Sequence, residues 1–283
     1  MRRAIVPLLL GLITLTGCQQ EEIVGGKARD GRVESVVSLA PGVTDILFKI
    51  GMVSTVRGRT ASCDVSYGIG SAAIVVNGTT PNYEKIVALQ PDLVVYDGTL
   101  YSEAEKEKLK ALGLKTAELN ASSVEGLVEF LYEIGKATAA ESNASNLADK
   151  ILAARVNAMS QAQSPAPRVA VVMADGSLYA AGKDSFIADV VRSAGGEPVG
   201  PAGTTFVRTS PEQLLKLAPD VIFAPNGSGL KLLGNPQLAS IPAVKAKQVL
   251  EVDDKTLLRV STRIETLIEP MSIRLREAKV QPR

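Results

Sequence analysis

Histidine and tryptophan are both missing from this chain of 283 residues, and aromatic rings make up only 4% of it. Without histidine the chain loses the commonest general base and the commonest nitrogen ligand for metals. A Ser-His-Asp triad is excluded, and so is a His-based zinc or manganese site. A binding site must rely on few rings. Neither sign of charge is in excess: the net charge is +1, so no basic field invites nucleic acid and no acidic tail is visible. Cysteine occurs only at 18 and 63, which is no disulfide framework. Enzyme motifs are missing too. There is no G-x-x-x-x-G-K-[ST] and no G-x-S-x-G. "GIGSAA" (68–73) fits G-x-G-x-x-A but leads into "IVVNG", which is not helical, so no helix N-terminus awaits a pyrophosphate. Cys63-Asp64 has no histidine to activate the thiol.

What is present starts with an address. "MRRAIVPLLLGLITLTGC" has Arg2 and Arg3, an apolar run from Ala4 to Leu15 and a small-residue site. That is a secretory signal pattern, short for a membrane span. Its ending, "LTGC", resembles a bacterial lipobox, which implies a signal over residues 1–18 and a lipid on Cys18. Residues 19–31 are polar and Gly-rich and read as a flexible tether. The mature protein is expected outside the cytoplasm, anchored to the membrane by lipid alone, with Cys63 left as a free thiol.

The length allows two domains. From Val33 short apolar runs alternate with helical patterns: "VESVVSL", "GVTDILFKIG", "TVRGR", "YEKIVAL", "LVVYD", "SEAEKEKLKALG". Strands separated by helices of this length predict βαβ units and a largely parallel sheet. The expected fold class is α/β: two small parallel-sheet lobes, over 32–121 and 166–283, with a ligand cleft between them. The stretch 122–165 is long, rich in Ala, Glu and Leu, and without a strand signal. It predicts two helices, the second spanning the gap between the lobes.

One phrase occurs twice. "PNYEKIVALQPDLVV" begins at Pro81 and "TSPEQLLKLAPDVIF" at Thr209, with Glu84 and Glu212 in equivalent places 128 residues apart. So long a period means two related lobes rather than a solenoid. Asn82 and Ser210 are good N-caps and Pro211 a good first helical residue. Both glutamates then fall in a first helical turn, where the helix dipole alone favours a carboxylate. The matched pair also fits two acidic knobs that meet basic pockets on a two-fold partner. The repeated Pro-Asp is a helix-to-strand corner.

Ligands of parallel sheets sit beyond the carboxyl ends of strands. In the first lobe those ends are 38–42, 59–67 and 96–101; in the second they are 174–182, 203–208 and 225–229. These loops hold Cys63, Asp64, Tyr67, Tyr96, Tyr101, Tyr179, Phe206 and Arg208 as candidate ligand contacts, some of whose rings are expected only to pack loops onto sheets. Arg259 and Arg263 flank the start of the last helix, and Arg259 is the candidate for a cleft-facing cation that binds an acidic or carbonyl-rich ligand.

"SLAPGVTDILFKIG", "GRTASCD", "NYEKIVALQPDLVV", "SFIADVVRSAGGEPV" and "SPEQLLKLAPDVIF", in this order behind the lipobox, resemble the substrate-binding proteins of bacterial ABC importers for vitamin B12, haem and iron–siderophores. The resemblance runs from about Val33 to the end. It implies two α/β lobes joined by one long helix, limited hinge motion and a ligand held between the lobes. It implies a monomer with no intrinsic cofactor, and docking of Glu84 and Glu212 on arginines of a permease dimer. "CD" after the second strand and "YAAGKDSFIADVVRSAGG" look most like cobalamin binders, in which stacking and hydrogen bonds hold the corrin without a protein ligand to cobalt. "CDVSYG" departs from the usual Cys-Asp-Tyr-Pro. A Tyr-ligated haem, or a ferric siderophore bound by Arg208 or Arg259, is the alternative cargo. An extracytoplasmic enzyme on this fold is the rival of another class, and it would need Asp64 and Asp97 to converge.

Overall fold

The computed structural model describes residues 33–120 and 122–280. Cys18, the leader and the tether lie outside the described residues. In chain order the elements of the first lobe are β1 (Val36–Ser38), α1 (Pro41–Lys49), β2 (Val56–Thr60), β3 (Ala73–Asn77), β4 (Thr80–Pro81), α2 (Tyr83–Ala88), β5 (Leu93–Asp97), α3 (Glu103–Ala111) and β6 (Thr116–Leu119). Two helices follow, α4 (Val124–Ala137) and α5 (Glu141–Ser160). The remainder holds β7 (Arg168–Asp175), β8 (Ser177–Ala181), α6 (Phe186–Ser193), β9 (Glu197–Pro198), β10 (Phe206–Thr209), α7 (Pro211–Leu217), β11 (Val221–Pro225), α8 (Gly229–Leu233), α9 (Pro242–Lys245), β12 (Val249–Val252), α10 (Asp254–Leu257) and α11 (Ile268–Glu277).

The first sheet runs β4-β3-β2-β1-β5-β6 and is parallel except for the two-residue edge strand β4. Every residue of β1 and β5 is buried, as a strand covered on both faces requires. The second sheet runs β10-β8-β7-β11-β12, with β9 beside the start of β7. Its pairs β7-β9, β7-β11 and β11-β12 are parallel, as the strand–helix alternation predicts, and only one edge is antiparallel. β7 turns back at Gly176, whose φ of 64° few other residues adopt, and β8 and β10 continue antiparallel. Asp175-Gly176 is the dipeptide that favours such a reversal.

The repeated phrase has one structure in both lobes. Asn82 accepts from the Lys85 amide at 2.9 Å, and Ser210 forms a full capping box with Gln213. Ile86 and Leu214, two residues beyond the glutamates, have no exposure at all. Gln90 and Ala218 then leave each helix in the left-handed region, with φ of 44° and 42°. Asp92 accepts from the amides of Glu34 and Ser35, both at 2.9 Å, and Asp220 accepts from Arg168 at 2.9 Å. The Asp of each Pro-Asp thus ties its corner to the start of the lobe's first strand.

α4 and α5 join the halves. Gly135 lets them pack closely, since a Cβ there would lie 2.6 Å from that of Ala144. Near its start α5 is held to the first lobe by Asn143, which donates to the Ile50 carbonyl at 3.0 Å. Just past its end Gln163 donates to the Leu275 carbonyl of the last helix at 2.6 Å. One buried cluster runs from Val36 and Leu93 through Leu131 and Ile151 to Val171, Phe223 and Leu275. Among the described residues no helix is long and apolar enough to cross a membrane.

Candidate ligand-binding cleft

Between the lobes lies a cleft of about 280 Å³. The first lobe gives it Ala40, Pro41 and Gly42 after β1, and Asp97, Thr99 and Leu100 from the end of β5 onward. The second lobe gives Ser185, Phe186 and Ile187 at the start of α6, and Thr204, Thr205 and Phe206 before and in β10. Leu257 to Val260, from the end of α10 onward, close one side. Its place at the carboxyl ends of β1 and β5 is where a parallel sheet offers a site. Two larger and more open depressions lie elsewhere: about 550 Å³ beside Arg59, Ile74, Lys85 and Leu89, and about 430 Å³ beside Arg208, Ser210 and Lys231. Each is built within one lobe, whereas the cleft draws on both.

The cleft wall is mostly apolar with a few polar points. Leu100 and Leu258 stand on its rim at 56% and 39% exposure. Asp97 is buried in the wall and accepts from the Thr99 amide at 2.9 Å and the Thr99 hydroxyl at 2.6 Å. Burial pushes its carboxyl above the usual range, against the pull of those two bonds. Arg259 is half-buried. Its Nη2 reaches the Ser62 carbonyl only at 3.5 Å, and its Nη1 is shielded from solvent with no hydrogen-bond partner in the protein. A shielded guanidinium nitrogen without a partner is costly, and a ligand acceptor would satisfy it.

Beside the cleft the segment from Asp253 to Leu267 crosses back onto the first lobe. Arg263 donates to buried Asp45 at 2.8 Å and also meets the Tyr67 hydroxyl. Lys255 pairs with Asp64 at 2.9 Å, and Lys49 with Glu265 at 3.4 Å. The Lys255 bond, aided by the hydroxyl and amide of Ser66, holds the Asp64 carboxyl well below the usual range. At Gly42 the crossing is so close that a Cβ would fall 2.1 Å from the Val260 carbonyl oxygen.

Of the candidate ligand contacts, the structure brings Phe206 and Arg259 together in the cleft. The others lie outside its lining. Cys63 is buried with its sulfur 3.0 Å from the Thr44 hydroxyl and 3.3 Å from that of Thr60, so it packs α1 onto the loop after β2. Tyr96 and Tyr101 are core residues that meet edge to face, with centroids 5.9 Å apart. Their hydroxyls are taken by Glu118 at 3.1 Å and by the Leu39 carbonyl at 2.6 Å. Tyr67 stacks on Phe48 at 4.1 Å, and Asp64 belongs to the Lys255 tie. Tyr179 and Arg208 face each other across β8 and β10, away from the cleft lining, and Arg208 borders the 430 Å³ depression. Asp97 lines the cleft and Asp64 does not. Glu84 and Glu212 are exposed in the first turns of α2 and α7.

Residues 36–256 match the family model described as periplasmic binding protein. The chain belongs to that family, a family of binding proteins rather than of enzymes. It is 25% identical over 249 residues to an uncharacterized ABC transporter substrate-binding lipoprotein of Bacillus subtilis, covering 84% of this chain and 79% of that one. It is 29% identical over 204 residues to a cobalamin-binding protein of Halobacterium salinarum, which covers 68% of this chain and 54% of that one. Among solved structures, the vitamin B12 binding protein of Vibrio cholerae superposes with a TM-score of 0.74 at 20% identity, over 87% of this chain and 97% of that one. A haem-binding protein of Roseiflexus superposes with a TM-score of 0.72 at 22% identity, over 87% and 98%. At those identities the two superpositions speak for the fold.

Proposed function

We propose that this protein is the extracytoplasmic binding component of an ABC importer, anchored by lipid on Cys18, and that it carries a corrinoid to a permease dimer. The observation that carries the cargo reading is the composition of the cleft. Its lining contains no Tyr, His, Cys or Met among the described residues. It offers apolar surface, the hydroxyls of Thr204 and Thr205, and the open donor of Arg259. Such walls suit a large ring whose metal is already coordinated and whose periphery carries carbonyl groups. Two named cobalamin and vitamin B12 binders among the relatives, at 29% and 27% identity, support the same cargo. The cleft volume lies just under the roughly 300–1,000 Å³ usual for small-molecule sites, so a corrinoid stands partly above the rim, against Leu100 and Leu258, or widens the gap.

Delivery rests on Glu84 and Glu212. Neither is in an ion pair among the described residues, and equivalent helices of the two lobes present them. Uptake of labelled cyanocobalamin into vesicles carrying the importer tests the reading. Uptake should require this protein and be lost for Glu84→Arg with Glu212→Arg, while corrinoid affinity is unchanged. Undiminished uptake by the double variant would dismiss the docking role.

A further inference from the structure

The helices that bear the two glutamates share a second exposed feature. Val87 on α2 is 41% exposed and Leu215 on α7 is 44% exposed. They occupy the same place in the repeat, three residues beyond Glu84 and Glu212. A single exposed apolar side chain is ordinary. Two at equivalent points of two lobes, each beside a carboxylate, are a pattern.

The other shared positions of the repeat have work inside their own lobe: the caps at 82 and 210, the buried Ile86 and Leu214, the left-handed exits, and the Asp residues that tie the corners. The exposed positions between them diverge, with Lys85 against Gln213 and Ala88 against Lys216. Val87 and Leu215 remain apolar where folding gains little from it. A spacing of three puts each on the same helical face as its glutamate, about 5–6 Å away between Cβ atoms.

We infer that Val87 and Leu215 are the apolar anchors of the permease interface, each filling a socket beside the cation that meets its glutamate. The inference rests on the docking reading above and adds the part of the surface that holds the complex. An exposed carboxylate in water steers and orients more than it binds, whereas a desolvated apolar side chain at the centre of a contact carries affinity. The partner is therefore two-fold symmetric, with an arginine or lysine and an adjoining apolar pocket in each half.

The test measures binding of the full protein to the importer in nanodiscs, at low and at high salt. Val87→Ser with Leu215→Ser should weaken binding about 30-fold, or ~2 kcal/mol, by a similar factor at both salt levels. Glu84→Gln with Glu212→Gln should weaken it at low salt and lose that effect at high salt. Val87→Ile with Leu215→Met should retain affinity, and all variants should melt with the parent. Unchanged binding of the serine pair, with loss in Glu84→Arg/Glu212→Arg, overturns the anchors and leaves the docking reading standing. Equal loss in the serine and the Ile/Met pairs also overturns them. Unchanged binding in every variant overturns the docking reading itself.

Discussion

Replacing Arg259 by Met should move stability and affinity in opposite directions. The guanidinium gains little from the protein: one contact at 3.5 Å, and a shielded Nη1 with nothing to donate to. A buried donor left without a partner costs about 1–3 kcal/mol. Methionine keeps an apolar stem in the cleft wall and removes the orphan, so stability in urea should hold or rise by up to about 1 kcal/mol. The ligand loses a hydrogen bond from a charged donor, worth about 1.5–3 kcal/mol, so its Kd should rise about 10- to 150-fold. Urea unfolding followed by circular dichroism gives the first quantity, since the chain has no tryptophan to report it. Calorimetric titration gives the second. Affinity within about threefold of the parent would show that Arg259 does not touch the cargo. A clear loss of stability would show that the protein itself satisfies this side chain.

Further outcomes follow from the same contacts. Arg263→Met strands the buried Asp45 carboxylate and should destabilise by about 3–5 kcal/mol, while Asp45→Leu with Arg263→Met should regain most of it; a double variant as weak as the single would contradict this. Burial, reinforced by Asp45 and by Glu118 respectively, pushes the phenols of Tyr67 and Tyr96 up to about 12. Unfolded phenols lose their protons near 10, so this stabilisation is whole below about pH 10 and disappears as pH rises to about 12. Ultraviolet titration should show these two ionising later in the folded protein than after denaturation; coincident curves would refute their burial. Cys18→Ala should release the protein from membranes, and continued tight association would remove the lipid anchor.

Much of the scaffold was legible because its signals are local. Caps at Asn82, Ser102 and Ser210, stops at Gly51 and Gly113, and the Pro-Asp corners each act within a few residues. The hairpin at Gly176 carries an Asp-Gly reversal signal, but 174–182 suits a loop beyond a strand end equally well, so a local pattern does not separate the two. The cleft shows the limit more sharply. The loops after β1 and β5 and before β10 line the cleft, but which side chain faces inward depends on strand parity. In β5, Val95 joins the main core, Tyr96 turns to the opposite face, and Asp97 reaches the cleft. Hydroxyl partners such as the Leu39 carbonyl for Tyr101, 62 residues away, leave no mark in a local pattern. Nor does the pairing of Arg263 with Asp45, 218 residues apart, which makes one arginine a tie and leaves Arg259 for the cleft.

The most direct measurement is calorimetric and absorbance titration of residues 19–283 with cyanocobalamin, haemin and a ferric siderophore. The account predicts submicromolar binding of the corrinoid and no new haem band, with the corrinoid heat reduced in Arg259→Met. A haem absorbance band, or tight binding of the siderophore without the corrinoid, would contradict it.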